Sequence, residues 1–442
     1  MRTHACILAF AVTVAPAASH AELAATVQKP AVDVYAQPSF EAPRLKTLRR
    51  GDALTITGQL GLWYQLPMPA QGQGYVRVND VRLAATGESD GDANLRVLMG
   101  EKAGQGRVTE TAGVRGIDES ELRSASLDRA QLDALTSQRV DAATAAAFAA
   151  EEGWRSTQLA YAAEPRPAPA TAGKAPPKTT RSDAVKAMGS LFGALGSDLG
   201  SKLASAAPVV PKGEDELAAE ELALGPEIAG RVLGARPLWN EPAAQRRVNL
   251  VGRWVASQTS RPDLPWAFGV IDTPEINAFA APGGYVLVTR GLYELLATDE
   301  ELAAVLAHEI GHCVQRDHYQ VIHKQELAAT GKDLAVSQAA ASTGNPATDF
   351  ARRYAEEHGA AIMLTSLDRG AEYRADESAQ YYLARSGINP LALHSVLQKL
   401  AALGPASAGL AQLYKTHPAF DDRIDRLDQH GDGPLGPYMS GD

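Results

Sequence analysis

The feature that most constrains this chain is an amphipathic segment that carries two histidines. Thr298 precedes an acidic turn and Glu301 stands three residues later, which is the capping-box pattern of a helix start. Apolar residues then recur at helical spacing, at Leu302, Val305, Leu306, Ile310 and Val314. The pattern predicts a helix with a buried stripe, and imidazoles near that stripe need polar partners.

His308 and His312 are four residues apart, so they lie one turn apart on one face of the predicted helix. With Glu309 between them they form an H-E-x-x-H motif, in which two imidazoles bind one metal ion and the glutamate takes a proton from an activated water. The alternative is a helix with incidental histidines, because a five-residue pattern also arises by chance. A catalytic metal needs a third protein ligand. Glu372 and Asp376, also four apart, offer one ligand and one carboxylate that orients a histidine.

Several separated motifs extend this pattern: NAFAAPGGYVLVTRGLYELLATDEELAAVLAHEIGH, RGAEYRAD and THPAFDDRIDRL. Together they resemble the zinc metallopeptidases of family M48, the group with HtpX-like, prenyl-protease-like and periplasmic BepA-like enzymes. The resemblance runs from about residue 216 to about residue 430. It implies an α+β fold with a mainly helical, zincin-type peptidase domain and a small β-sheet at residues 215–432.

The resemblance also implies one zinc ion per chain, bound by His308, His312 and Glu372. Glu309 would be the general base, and Asp376 would support the ligand shell.

Two further residues follow from the third motif. Arg423 would support the ligand shell, and His417 would either close over the metal or stabilise the oxyanion. From the sequence we favour the oxyanion role, which predicts slower cleavage for His417→Ala. One departure stands out: the family often reads Arg-His after the second histidine ligand, whereas Arg316 is followed here by Asp317 and then His318. We expect this to change local packing only.

Two short β-prone runs, PWAFGVI and GYVLVT, precede the histidine helix, with Gly283 and Gly284 at a predicted turn. In the family such strands form a sheet whose edge pairs with an extended peptide. We therefore expect Asn277, Ala278 and Phe279 to face the substrate; the alternative for these residues is a purely structural hairpin.

Charge and the N-terminus indicate where the chain works. The net charge of -10 and the pI near 5.6 give no basic footprint for nucleic acid. Residues 1–21 read as a secretory signal peptide, and no later apolar run is long enough to span a bilayer. We expect an exported, soluble, periplasmic protein. Without the signal, Cys313 is the one cysteine left, and we expect it to be a packing residue rather than a ligand.

Three regions precede the peptidase motifs. Residues 22–86 alternate β-prone runs with turn residues and resemble a bacterial SH3-like barrel; peptidoglycan binding, intramolecular docking and a passive spacer are all open roles for it. Residues 90–163 predict a small helical region, and residues 164–214 a linker with an amphipathic segment.

The function expected from these patterns is an exported zinc metalloendopeptidase that cleaves unfolded or misassembled cell-envelope proteins. Two alternatives belong to other classes: a zinc-stabilised chaperone or scaffold with little turnover, and a cell-wall-binding adaptor.

Overall fold

A computed structural model describes residues 22–70, 72–84, 98, 117–160, 212–330, 345–404, 407–430 and 433–440. The predicted signal peptide and nearly all of the predicted linker lie outside the described residues. Within these ranges no helix combines the length and the apolar composition needed to cross a membrane.

Residues 23–83 form a unit made of strands, which we call the β-unit. Its strands are β1 (Leu23–Val27), β2 (Ala31–Tyr35), β3 (Arg44–Arg49), β4 (Ala53–Ile56), β5 (Gly58–Leu60), β6 (Trp63–Met68), β7 (Gly72–Arg77) and β8 (Val81–Leu83). They pair antiparallel in two sheets, ordered β3-β2-β7-β6-β5 and β4-β1-β8. The predicted all-β character of this region is confirmed. Its likeness to an SH3-like barrel stays a prediction.

Three short helices follow: α1 (Glu119–Ser124), α2 (Arg129–Ser137) and α3 (Ala142–Glu151). Each begins after an aspartate whose carboxylate accepts a hydrogen bond from the backbone N–H three residues later, at Asp118, Asp128 and Asp141. Leu122 and Leu135 of these helices are fully buried in the same core as later parts of the chain. The three helices are thus packed on the helices that follow residue 212.

The rest of the described chain is mainly helical, so the predicted α+β class is confirmed. Its elements are α4 (Glu214–Ala235), α5 (Pro242–Ser257), β9 (Ala267–Ile271), β10 (Ala278–Ala281), β11 (Tyr285–Thr289), α6 (Arg290–Leu295), α7 (Asp299–Gln315), α8 (Asp317–Thr330), α9 (Pro346–His358), α10 (Arg369–Arg385), α11 (Leu391–Leu403), α12 (Leu413–Thr416), α13 (Phe420–His430) and α14 (Gly436–Met439).

The small sheet of this region has the order β10-β11-β9, with β11 antiparallel to β10 and parallel to β9. Gly283 and Gly284 have φ angles of 74° and 93° in the β10–β11 turn, a conformation that favours glycine. The predicted turn is therefore confirmed, and within the described ranges β10 is an edge strand of this sheet.

Helices α7 and α10 cross at two small residues. A Cβ placed on Gly311 would lie 3.4 Å from the Cα of Ala375, so the two backbones are close together at this point. This approach lets side chains from both helices point into one space. Helix α10 ends just before a glycine, since Gly387, two residues beyond Arg385, has φ 74°.

The β-unit is docked on two of the later helices, α11 and α14. Leu391 and Ala402 of α11 and Met439 of α14 belong to the same apolar cluster as the interior of the β-unit. Gln398 of α11 donates hydrogen bonds to the carbonyls of Val78 and Val81, at 2.6 and 3.0 Å. Of the roles left open for this region, intramolecular docking is the one with contacts in the structure.

Candidate metal centre

Helix α7 begins as its sequence predicts. The Thr298 hydroxyl accepts a hydrogen bond from the Glu301 backbone N–H at 3.2 Å. The Glu301 carboxylate accepts one from Ala297, not from Thr298, at 2.8 Å. The helix ends at Gln315, and the next residue, Arg316, has a left-handed φ of 59° that turns the chain into α8. His308 and His312 are both buried, as the apolar stripe predicts.

Four side chains from three parts of the chain converge beside these histidines. One ligand atom each from His308, His312, Glu372 and His417 lie within 4.8 Å of one another. The His308 Nε2 is 3.2 Å from the His312 Nε2 and 3.6 Å from the Glu372 Oε2. The His417 Nε2 is also 3.6 Å from the Glu372 Oε2. A tetrahedral site with bonds of about 2.1 Å has edges of roughly 3.4 Å, so these three spacings are close to those of atoms that bind one ion.

Each histidine is oriented by a partner on its other ring nitrogen. His308 Nδ1 lies 2.9 Å from Asp376 Oδ1, and His312 Nδ1 lies 2.8 Å from Asp317 Oδ2. Because a carboxylate only accepts, each Nδ1 carries a proton that it donates to its carboxylate, and the two Nε2 atoms face each other.

The His417 ring is also oriented by a partner on its Nδ1. His417 Nδ1 lies 2.9 Å from the hydroxyl oxygen of Thr416, which itself donates towards backbone carbonyls of its own helical turn. The hydroxyl therefore accepts from Nδ1, and the Nε2 lone pair of His417 is free for a ligand bond.

The cluster brings several possible ligand atoms together in a buried space. The Nε2 atoms of His308 and His312 lie 3.2 Å apart, and the Glu372 Oε2 is buried without a hydrogen-bond partner. Burial by itself raises the pKa of Glu372, but His417, His308 and His312 outweigh it and hold that pKa below its usual range. Burial lowers the pKa of His417 to about 3, although Glu372 opposes the shift. A metal cation fits the donor set.

Glu309 lies beside the cluster and is buried with it. Burial raises the pKa of its carboxyl above the ordinary value, although His308 and His312 oppose the shift. Glu309 also lines a cavity together with His312, Glu372 and His417. A carboxylate with a raised pKa at the wall of this cavity is suited to accept a proton.

Two of the three residues predicted to face the substrate lie at the cavity, and one does not. Ala278 and Phe279 of β10 line the same cavity as Glu309, whereas Asn277 is not among its lining residues. The Asn277 side chain instead accepts a hydrogen bond from the Ala278 N–H, and its backbone carbonyl accepts one from Thr289. Asn277 is thus placed where it shapes the start of the edge strand.

Arg423 supports the centre through Asp376. Its guanidinium donates two hydrogen bonds to the Asp376 carboxylate, at 2.6 and 2.8 Å. Burial alone raises the pKa of Asp376, but Arg423 and His308 outweigh it and lower that pKa below its ordinary value. Asp376 is therefore an ionised acceptor that fixes the His308 ring.

Sequence reasoning missed three residues around the centre. Asp317 orients His312, although the sequence assigned it to packing, and Thr416 orients His417. His318 lines the cavity and has a buried Nδ1 without a hydrogen-bond partner. The signal for Asp317 was available as the departure after Arg316. Cys313, as expected, packs away from the cluster, and its thiol donates to the Ala281 carbonyl at 3.4 Å.

A histidine and glutamate cluster with a carboxylate at the cavity wall is the arrangement of a metallopeptidase. Comparison with known proteins agrees, since residues 242–430 match the model of peptidase family M48. The match covers less than half of the chain, and together with relatives named as proteases it supports a metallopeptidase domain at these residues.

Three curated relatives share this region. The chain is similar to the beta-barrel assembly-enhancing protease of Yersinia pestis, at 29% identity over 206 residues, which are 46% of this chain and 42% of that protein. It is similar to the metalloprotease LoiP of Escherichia coli, at 29% identity over 37% of this chain and 62% of that protein. It is similar to the mitochondrial metalloendopeptidase OMA1 of Schizosaccharomyces pombe, at 27% identity over 41% of this chain and 51% of that protein. The aligned part of the chain spans less than half of the length of the first relative.

Proposed function

We propose that this chain is an exported, zinc-dependent metalloendopeptidase that hydrolyses peptide bonds in unfolded or misassembled proteins of the cell envelope. The observation that carries the proposal is the convergence of three Nε2 atoms and the Glu372 carboxylate beside Glu309. Three imidazole nitrogens and one carboxylate oxygen are a ligand set that zinc prefers.

His308, His312 and Glu372 would hold the zinc ion. A zinc ion bound there would polarise the scissile carbonyl and lower the pKa of a nearby water. Glu309 accepts the proton of the attacking water and passes it to the leaving amine. Burial supports this role, because it raises the pKa of the Glu309 carboxyl towards a value from which the proton is easily returned.

His417 has the geometry of a fourth ligand. Its Nε2 is as far from the Glu372 Oε2 as the His308 Nε2 is, at 3.6 Å in both cases. An oxyanion donor instead has to stand about 3 Å from the reacting oxygen, outside the ligand shell. This spacing supports a role as a closing fourth ligand more than the oxyanion role favoured from the sequence. His417 would then have to leave its ligand position before a water molecule could bind there.

The edge strand β10 supports a polypeptide substrate. Its residues Ala278 and Phe279 line the cavity next to Glu309, and the strand pairs with β11 on one side only among the described residues. An extended peptide that adds to this edge would be held by backbone hydrogen bonds, which read extended chain rather than sequence. Unfolded proteins contain extended segments of this kind, and we therefore favour them as substrates.

The place of action is proposed from the N-terminal signal pattern and from relatives named as assembly-enhancing proteases. A periplasmic location fits both. Peptidoglycan binding by residues 22–86 is the weaker proposal for the β-unit, since part of its surface already contacts α11 and α14. Pelleting of the full chain with purified sacculi tests it directly.

The proposed function is tested with unfolded casein and a folded, disulfide-bonded protein of similar size. The purified chain should cleave the casein and leave the folded protein intact. A chelator should stop cleavage, and added zinc should restore it. The chaperone alternative predicts instead that the chain suppresses aggregation of unfolded protein and produces no fragments, with or without zinc.

A further inference from the structure

One arginine of the β-unit faces three aspartates of the helix that follows His417. The Arg82 Nη2 is 2.7 Å from Asp425 and 3.0 Å from Asp428, and its Nη1 is 3.7 Å from Asp421. The aspartates are spaced by four and three residues, so they share one face of α13. The Arg82 side chain is only 15% exposed, whereas Asp421 and Asp425 are more than half exposed.

Arg82 projects from a fixed support. It lies on β8, whose Leu83 N–H donates to the Gln398 side chain at 2.9 Å. The same Gln398 amide donates to the carbonyls of Val78 and Val81. Because Gln398 belongs to α11, the strand that presents Arg82 is tied to the peptidase core.

The opposite side of α13 reaches the metal centre. Arg423 lies nearly half a turn from the aspartate face and forms the two bonds to Asp376, the residue that orients His308. His417 precedes α13 by only three residues, with Pro418 between them. A shift of α13 therefore carries both Arg423 and His417 with it.

We propose that Arg82 is a positioning residue, through which the β-unit holds α13 and thereby sets how firmly His417 sits at the metal centre. The inference rests on the proposed role of His417 as a closing ligand. It gives the β-unit a task inside the molecule: holding in place a segment that has to move for the site to open.

The size of the effect follows from the exposure of the aspartates. Ion pairs with solvent-exposed partners are individually weak, but one arginine shared by three carboxylates forms a network with a summed effect. We expect removal of Arg82 to raise the population of the displaced segment roughly tenfold, without unfolding the domain.

The test compares Arg82→Gln with Arg44→Gln in the full, zinc-loaded chain. Arg44 pairs with Asp33 inside the β-unit, at 3.0 Å, and is 69% exposed, so its loss removes the same kind of charge without touching α13. Hydrogen–deuterium exchange is measured for peptides covering residues 413–430 and for peptides of α7 and α10. Arg82→Gln should speed exchange in residues 413–430 about tenfold and leave α7 and α10 unchanged, while Arg44→Gln should match the wild type.

Casein turnover gives a second readout. Arg82→Gln should change turnover in the same direction as His417→Ala, and it should have no further effect in a chain that already carries His417→Ala. Asp421→Asn with Asp425→Asn, two exposed positions that are expected to fold, should reproduce the local rise in exchange.

Equal exchange in residues 413–430 for Arg82→Gln and Arg44→Gln would overturn the inference. So would a rise spread evenly over the β-unit and the peptidase helices, because that result marks general destabilisation. Hydrogen–deuterium exchange measures how firmly Arg82 holds α13 even in a chain without peptidase activity. This inference and the proposed function can therefore fail separately.

Discussion

Helix α7 carries two buried polar clusters, one at its start and one in its middle, and they are built in opposite ways. At the start, the Glu301 carboxylate pairs with Lys399 at 2.7 Å and accepts hydrogen bonds from Ser395 and from the Ala297 N–H. Gln59 of the β-unit donates to Ser395 at 2.8 Å and joins the cluster. Every charge there has a partner of opposite sign.

In the cluster at the middle of α7, possible metal-ligand atoms face one another. The Nε2 atoms of His308 and His312 lie 3.2 Å apart, and the Glu372 Oε2 beside them has no hydrogen-bond partner. Removing polar groups from water costs free energy in both clusters. Only the first cluster offsets that cost with its own ion pair and hydrogen bonds. The comparison teaches that burial alone does not mark a functional site; a buried cluster with unmatched acceptors does, because it needs a cation.

The largest expected effect comes from removing a ligand in the middle cluster. His308→Ala and Glu372→Ala should each lose the metal and reduce casein cleavage by about a thousandfold or more, since each removes one of three ligands and the metal supplies the Lewis acid. Metal content by mass spectrometry of the purified variants checks the first part, and release of casein fragments checks the second. A variant with full metal content would remove that residue from the ligand set.

The next largest effect is expected from a substitution that disrupts the cluster at the start of α7. Lys399→Ala leaves the Glu301 charge buried with no ion partner and should cost about 3–5 kcal/mol of the free energy of unfolding. Urea denaturation followed by tryptophan fluorescence measures it. The matched control is Lys399→Met with Glu301→Gln, which removes both charges and should recover most of the loss. If Lys399→Ala costs less than about 1 kcal/mol, the pair is not the compensated cluster described above.

A smaller effect is expected at the fourth ligand. His417→Ala should weaken zinc binding and raise the rate of casein cleavage several-fold, because the time spent closed limits turnover. Steady-state cleavage at saturating zinc measures the rate, and competition with a chelator measures the affinity. Slower cleavage with unchanged affinity would restore the oxyanion role that the sequence favoured.

The smallest effect concerns Tyr64, which is fully buried in the β-unit with no hydrogen-bond partner for its hydroxyl. Tyr64→Phe removes an unsatisfied polar group and should leave stability unchanged or raise it by about 1 kcal/mol. Burial, with Glu301 adding to it, raises the pKa of Tyr64 above its usual value. The neutral phenol therefore contributes fully below the unfolded pKa of about 10, and that contribution is lost as pH rises further.

Unfolding curves at pH 8 and at pH 10.5 test this sign. The wild type should lose more stability between the two pH values than Tyr64→Phe does. Equal losses would show that Tyr64 does not ionise on unfolding in this range.

The contrast between the clusters also explains how much the sequence could predict. The site follows from local spacing: His308 and His312 from one helix, and Glu372 with Asp376 from another, so the pattern of residues four apart is enough. The strand turn at Gly283 and Gly284 is equally local. These features were predicted because a helix or turn fixes them by itself.

The cluster at the start of α7 depends on long-range packing. Glu301 and Lys399 are 98 residues apart, and Arg82 is 343 residues from Asp425. Single charged residues at such distances have no periodic signature, so their pairing appears only in the folded chain. Asp317 is an intermediate case: it is five residues from His312, but it reaches that ring only because Arg316 adopts a left-handed conformation.

The central claim is that the unmatched cluster on α7 holds a zinc ion that works together with Glu309. The most direct measurement is zinc content and casein cleavage on the same preparations of wild type and Glu309→Gln. The account predicts one zinc per chain in both, with cleavage by the variant reduced by about a thousandfold or more, because the ligands remain and the base is gone. Near-wild-type cleavage by Glu309→Gln, or a wild-type chain that binds no zinc, would contradict it.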